Sequence, residues 1–152
     1  MMKNPGEGMR QAGEFRRVLN QDLLLFLLDL EVKRARRYQN FLSILTLKLV
    51  QSSPGPNGDG LNACYERLVG LLEDEIRETD IIGSLRKDKL AILLPYCDVS
   101  AGSLARARFE NLLTFYDFKR EGYSVVIQQI YFPMDGASEI DILKKAMGEE
   151  AS

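Results

Sequence analysis

The chain has 152 residues, of which 45% are hydrophobic and 28% charged, and its formal net charge is −2. That is one ordinary globular domain's worth, with no broad electrostatic attraction for nucleic acid. There is no histidine, which excludes imidazole acid–base catalysis, His metal ligands and His-containing triads. Two cysteines, Cys64 and Cys97, are too few for a disulfide framework or a four-cysteine zinc site, and they suit a reducing cytoplasm.

Residues 1–12 contain Pro5, Gly6 and Gly8 without apolar periodicity. They are expected to form a flexible lead-in to a single domain over residues 13–150. From Glu14 to Gln39 the spacing of Phe15, Leu19, Leu23, Phe26, Leu27 and Leu30 predicts a helix. Within it, Leu23 to Leu28 is the longest apolar run, too short to span a bilayer. The helix ends in Lys33, Arg34, Arg36 and Arg37, cations placed favourably against a helix C-terminus. A phosphate-binding role for them is the alternative. Leu42 to Val50 reads as a mostly buried strand, and the Pro- and Gly-rich stretch 51–60 as an irregular loop.

Leu61 to Glu78 is a second amphipathic helix, with Leu61, Tyr65, Leu68, Leu72 and Ile76 along one face and Cys64 in the same stripe. Ile81 to Leu85 and Leu90 to Leu94, separated by Arg86 to Lys89, predict a β-hairpin without a turn glycine. Val99 to Phe115 predicts a third helix with Leu104, Arg108 and Leu112 aligned, capped by Asp98 or Ser100. Residues 119–122 form a turn, Tyr123 to Phe132 a strand, and Pro133 to Gly136 its end. Ser138 and Asp141 resemble a capping box for a last helix, Ile140 to Met147. The order α–β–α–β–β–α–β–α predicts an α+β fold. It is a ferredoxin-like core whose central mixed, largely antiparallel β-sheet is flanked by helices.

At the hairpin the pattern becomes specific. Arg77-Glu-Thr-Asp80, five residues, Arg86-Lys-Asp-Lys-Leu90, and an apolar strand ending in Leu94-Pro95 resemble the middle of a GGDEF domain, the family that makes cyclic di-GMP from two GTP. Glu31 to Arg37 followed by Leu42-Ser-Ile-Leu resembles the family's first helix and strand. Tyr131-Phe-Pro-Met-Asp-Gly136 followed by Ile142-Leu-Lys-Lys-Ala146 resembles its last strand and helix. The resemblance covers residues 18–148 and implies a nucleotide-cyclase-like fold.

The departures from that family bear on activity. Its signature pentapeptide falls on Arg86-Lys87-Asp88-Lys89-Leu90, so both glycines that let the backbone approach the nucleotide are replaced. Only Asp88 keeps an acid there. The strand aspartate that helps hold Mg²⁺ in the family falls on Lys48, and the next on Val50. An ammonium repels a hard cation and supplies it no oxygen ligand. The guanine-contacting Asp position falls on Asn62, and Val18-Leu19-Asn20-Gln21 stands in place of the family's lead-in motif. The resemblance therefore implies a domain that is not an enzyme, with no catalytic residue, no metal ligand and no Mg²⁺ at the altered site.

One family feature is intact. Arg77-x-x-Asp80 has the spacing of the family's allosteric product site, where Arg and Asp bind guanine bases of a cyclic di-GMP dimer. Arg108, thirteen residues after Pro95, stands where a further arginine completes that site; Arg106 is the weaker candidate. A guanidinium fork donates two hydrogen bonds to guanine O6 and N7, and a carboxylate accepts from its N1–H and N2–H. With Arg77 ending a helix and Asp80 starting a strand, both are expected to point outward from one corner. A plain local ion pair is the competing account.

The expected function is thus a cyclic di-GMP receptor and signalling module in the cytoplasm. It would bind through Arg77, Asp80 and Arg108 and change its contacts with a partner protein or neighbouring domain; ligand-induced homodimerisation is a natural consequence. Neither nucleic acid nor a membrane is an expected partner. A nucleotide-independent interaction or dimerisation scaffold is the alternative, supported by the several apolar faces of Leu23 to Leu28. A GTP-binding regulatory domain without turnover is the third.

Overall fold

The computed structural model describes residues 17–53, 60–133, 144, 145 and 148. The first element is not helical. Strand β1 (Val18–Leu19) precedes helix α1 (Gln21–Tyr38), whose start is set by Asn20. Its side chain accepts the Leu23 N–H at 2.9 Å, the usual job of an N-cap residue. Gln39 closes the helix in the left-handed conformation at φ 54°. Asp22 in the first turn and Arg36 and Arg37 in the last match the helix dipole. Lys33 and Arg34 pair with Asp29 and Glu31 at 2.9 and 3.1 Å. The basic end of α1 therefore has a structural account.

Strand β2 (Leu42–Gln51) is followed by α2 (Gly60–Glu75), β3 (Ile81–Arg86), β4 (Lys89–Pro95), α3 (Val99–Leu112) and β5 (Tyr123–Phe132). Two 3₁₀ turns, Leu113–Phe115 and Phe118–Glu121, fill the space before β5. The sheet order is β1-β3-β4-β2-β5. β1 runs parallel to β3, and every other pairing is antiparallel. This is the expected α+β architecture. The predicted helix Ile140 to Met147 and its capping box lie largely outside the described residues; Lys144 and Lys145 are helical.

The strands alternate as a two-sided sheet must. Leu90, Ile92 and Leu94 join Leu45, Leu47 and Leu49 against α2 and α3. Ala91 and Leu93 join Leu42 and Ile44 against α1. On α2 the predicted face is largely the buried one, Cys64, Leu68 and Leu72, and Ile76 is buried just beyond the helix end.

Three expectations need correction. α2 stops at Glu75 rather than Glu78, because residues 77–80 form a turn. α3 buries Gly102, Ala105 and Phe109, whereas Leu104 is 75% exposed. α1 buries Leu24, Leu28, Val32 and Ala35, not the stripe Leu23, Phe26 and Leu30, which is exposed. The run Leu23 to Leu28 is apolar all round, so its period cannot select a face. Contact with the sheet does. A Cβ at Gly83 of β3 would lie 2.8 Å from Leu24, so only glycine lets α1 settle so close. Among the described residues no helix is long and apolar enough to cross a membrane.

Candidate functional site

As α2 ends, the chain reverses through Arg77 to Asp80 before entering β3. The reversal is closed from both sides. The Asp80 N–H donates to the Arg77 carbonyl at 3.1 Å, and Asp80 Oδ2 accepts the Arg77 N–H at 2.9 Å. An aspartate folded back on a nearby backbone N–H is a common way to hold a turn. Consequently Arg77 is exposed but Asp80 is buried, 6% exposed. The expectation that both point outward holds for Arg77 alone.

Arg108 projects from α3 towards the same corner. Its Nε lies 3.4 Å from Glu75 Oε1 at the end of α2, and its guanidinium sits 5.0 Å from the ring centroid of Phe109. Its Nε and Nη2 are nevertheless buried without a hydrogen-bond acceptor among the described residues. Arg106, by contrast, is committed: Nη2 donates to the Ile127 carbonyl at 2.8 Å, and Nε lies 3.6 Å from Glu110.

The buried Cys97 joins the parts. Burial pushes its thiol pKa up; Arg77 and Arg108 pull it down, and Asp80 and Asp98 push it further up. All three predicted site residues therefore act on one thiol. Asp98, which caps α3 by accepting the Ala101 N–H at 2.8 Å, aligns the helix that carries Arg108. Ser43 Oγ donates to the carbonyls of Cys97 and Asp98 at 3.0 and 3.1 Å, anchoring this junction to β2.

A second locus is the β3–β4 hairpin, whose turn is Lys87-Asp88. Lys48 of β2 pairs with Lys89 of β4, and Lys89 with Arg86 of β3. A register shift between Ser84 and Arg86 brings Arg86 opposite Lys89, the re-aiming a bulge produces. Three cations thus stand in a row across three strands. Lys89 is 4% exposed. Burial lowers its pKa, Arg86 and Lys48 lower it further, and Asp88 opposes them. Asp88 is shared with Arg86 at 3.6 Å. Among the described residues no group of three His, Cys, Asp or Glu side chains could hold a metal ion.

Arg17 is a residue that sequence reasoning missed. Its Nη2 lies 2.6 Å from the carbonyl oxygen of Asp80, 2.8 Å from that of Arg77 and 3.4 Å from that of Glu78. Its partners are backbone atoms about sixty residues away, so no spacing rule points to them. A cavity of about 600 Å³ lies apart from both loci, between the end of α3 and β5, lined by Leu113, Tyr116, Phe118, Tyr123 and Val125 among others.

No protein-family model and no curated protein matches the sequence. Solved structures do. A DGC protein from Thermotoga maritima aligns with a TM-score of 0.70 at 16% identity, over 87% of this chain and 95% of that one. The GGDEF domain of DgcB from Caulobacter crescentus, solved in complex with c-di-GMP, aligns with a TM-score of 0.66 at 9% identity, over 88% of this chain and 81% of that one. The diguanylate cyclase SiaD from Pseudomonas aeruginosa, solved with its activator SiaC, aligns with a TM-score of 0.63 at 16% identity, over 86% of this chain and 52% of that one. The chain has the fold of GGDEF diguanylate cyclase domains.

Proposed function

We propose that this domain is a catalytically silent member of that fold which binds cyclic di-GMP at Arg77, Asp80 and Arg108. The observation that carries the reading is Arg108. One guanidinium nitrogen, Nε, is ion-paired with Glu75 at 3.4 Å, while the buried Nη2 has no hydrogen-bond partner among the described residues, at a corner where Arg77 is exposed. Buried donors are nearly always satisfied, and guanine O6 and N7 are the acceptors a guanidinium matches. Asp80 contributes differently from the expectation. Its carboxylate holds the turn that presents Arg77, so its part in the reading is to fix the base of that guanidinium. The domain of the same fold solved with c-di-GMP supports the ligand class.

Catalytic silence rests on the hairpin. The row Lys48, Lys89 and Arg86 does not fit a divalent cation, which needs oxygen ligands and repels ammonium groups. No step of phosphoryl transfer is assigned to this chain.

The test is an isothermal titration with cyclic di-GMP, run beside GTP with Mg²⁺. Saturable binding of cyclic di-GMP that is lost in Arg77→Ala supports the receptor reading. Binding of neither ligand overturns it. Binding of GTP alone would make the domain a nucleotide-binding regulator without turnover.

A second reading has its own observation. Leu23, Phe26 and Leu30 form an exposed apolar stripe along α1, at 43%, 63% and 38% exposure. That stripe suits a protein-interaction scaffold, and the SiaD complex with an activator protein supports a protein partner for this fold.

A further inference from the structure

β1 is two residues long, yet its register decides where the preceding residue lies. Val18 pairs in parallel with Ile82 and Leu19 with Gly83, so Arg17 runs alongside Ile81 and reaches the Arg77–Asp80 turn. Its backbone N–H donates to Glu73 Oε2 at 2.9 Å, tying it to α2. Its Nη2 then meets the three carbonyl oxygens of Asp80, Arg77 and Glu78, at 2.6, 2.8 and 3.4 Å. These carbonyls belong to the turn that follows α2. One nitrogen with two hydrogens serves all three acceptors, and bonds from an ionised donor are the strong kind.

We infer that Arg17 is a positioning residue for the Arg77–Asp80 turn, and that through it β1 is coupled to occupancy of the site. The second half of this inference rests on the cyclic di-GMP reading; the first half does not. The peptide units around Arg77 are held from within the turn and from outside it. Asp80 Oδ2 holds the Arg77 N–H, and Arg17 holds the Arg77 carbonyl. The base of the exposed guanidinium is thereby fixed, so less ordering remains to be done when a ligand arrives. With the Asp80 N–H also on the Arg77 carbonyl, removing Arg17 releases one of three holds, the one that comes from outside the turn. The coupling is reciprocal: a ligand that fixes the turn also fixes Arg17 and β1, which follows it.

The experiment uses the full chain as wild type, Arg17→Ala and Arg17→Lys. In the absence of ligand, amide hydrogen exchange of a peptide covering residues 77–81 is expected to quicken about tenfold in Arg17→Ala. Arg17→Lys keeps a cation for the same carbonyls and should return exchange to within about threefold of wild type. Exchange in Leu45–Leu47 of β2 should not change, which separates loss of the clamp from general destabilisation. In the ligand arm, Arg17→Ala should weaken cyclic di-GMP binding about tenfold, with recovery in Arg17→Lys. Saturating ligand should slow exchange at Arg17–Leu19 in wild type.

Unchanged exchange at 77–81 in Arg17→Ala overturns the positioning role. Wild-type binding that Arg17→Ala leaves intact overturns the coupling. If wild type binds no cyclic di-GMP, the receptor reading fails, and the ligand-free exchange arm still decides the role of Arg17. Should Arg17→Ala fail to fold, Arg17→Gln, which keeps neutral donors, goes through the same arms.

Discussion

Lys48 and Lys89 face each other across β2 and β4, and Lys89 is almost fully buried. Like charges directly opposite in a sheet repel, and a buried ammonium loses its hydration. Here both costs fall on one residue, with Arg86 adding to them from β3. Three cations thus crowd one row of the sheet, Lys48 on β2, Lys89 on β4 and Arg86 on β3.

The first prediction concerns stability. The pKa of Lys89 in the folded protein is lowered, by burial first and by Arg86 and Lys48 next. Its charged form therefore destabilises the fold. That penalty is present in full below the lowered folded-state pKa, and it fades as pH rises towards the ordinary value of 10.5. Lys89→Met fills similar space without the charge. It should raise the melting temperature at pH 7 by roughly 2–6 °C, and the gain should shrink as pH approaches 10. Circular dichroism melts across that range provide the check. A fall at pH 7, or a gain that ignores pH, would show that the ammonium contributes favourably.

The second prediction separates binding from folding at the turn. Arg77 is exposed, so removing its side chain should leave the melting temperature within about 1 °C of wild type. Cyclic di-GMP affinity should fall by about 1–3 kcal/mol, the usual worth of a bidentate guanine contact. Calorimetric titration and a thermal melt on Arg77→Ala give the two numbers.

The third prediction reverses that pattern. Asp80 is buried and its Oδ2 accepts the Arg77 N–H. Asp80→Ala should lose about 1–3 kcal/mol of stability, the cost of leaving a buried polar group unmatched, and should weaken ligand binding as well. Asp80→Asn keeps an acceptor for the same N–H and should recover most of the stability. A denaturant titration on both variants reads the difference. Equal stabilities for Ala and Asn would mean that the turn does not depend on this acceptor.

Much of this was legible in the sequence, and the failures have physical causes. The strands of the hairpin could be read because Leu90 to Leu94 is apolar on both faces and polar residues break it from β3. The spacing Arg77-x-x-Asp80 could be read because it is local. The direction of Asp80 could not, because a carboxylate at that position has both a backbone N–H and solvent within reach, and only the turn geometry chooses. The buried face of α1 was hidden by a run that is apolar all round, leaving Gly83 to admit Leu24. β1 is too short to show any period, and Arg17 lies outside every motif because its acceptors are backbone carbonyls.

The fourth prediction follows Arg108 back to the packing that places it. α3 lies so close to β2 that a Cβ at Gly102 would collide with Ser43 Oγ, and would come within 2.7 Å of Gln129 Nε2. Ser43 is buried, and its hydroxyl is spent on the carbonyls of Cys97 and Asp98, so it cannot simply turn away. Gly102→Ala should therefore push the start of α3 off the sheet and disturb the Asp98 cap. The stability cost should be about 1–3 kcal/mol, the range for overpacking a close contact. Arg108 lies less than two turns further along the same helix, so cyclic di-GMP binding should weaken in the same variant although Gly102 touches no ligand. Ser43→Ala relieves part of the collision and gives up the one hydroxyl proton shared between the two carbonyls. In Gly102→Ala it should cost less than it does alone, so the pair should be non-additive. Denaturant unfolding of the two single variants and the double variant measures the coupling. Additive energies would mean that the helix does not rest on Ser43, and that the position of Arg108 is set elsewhere.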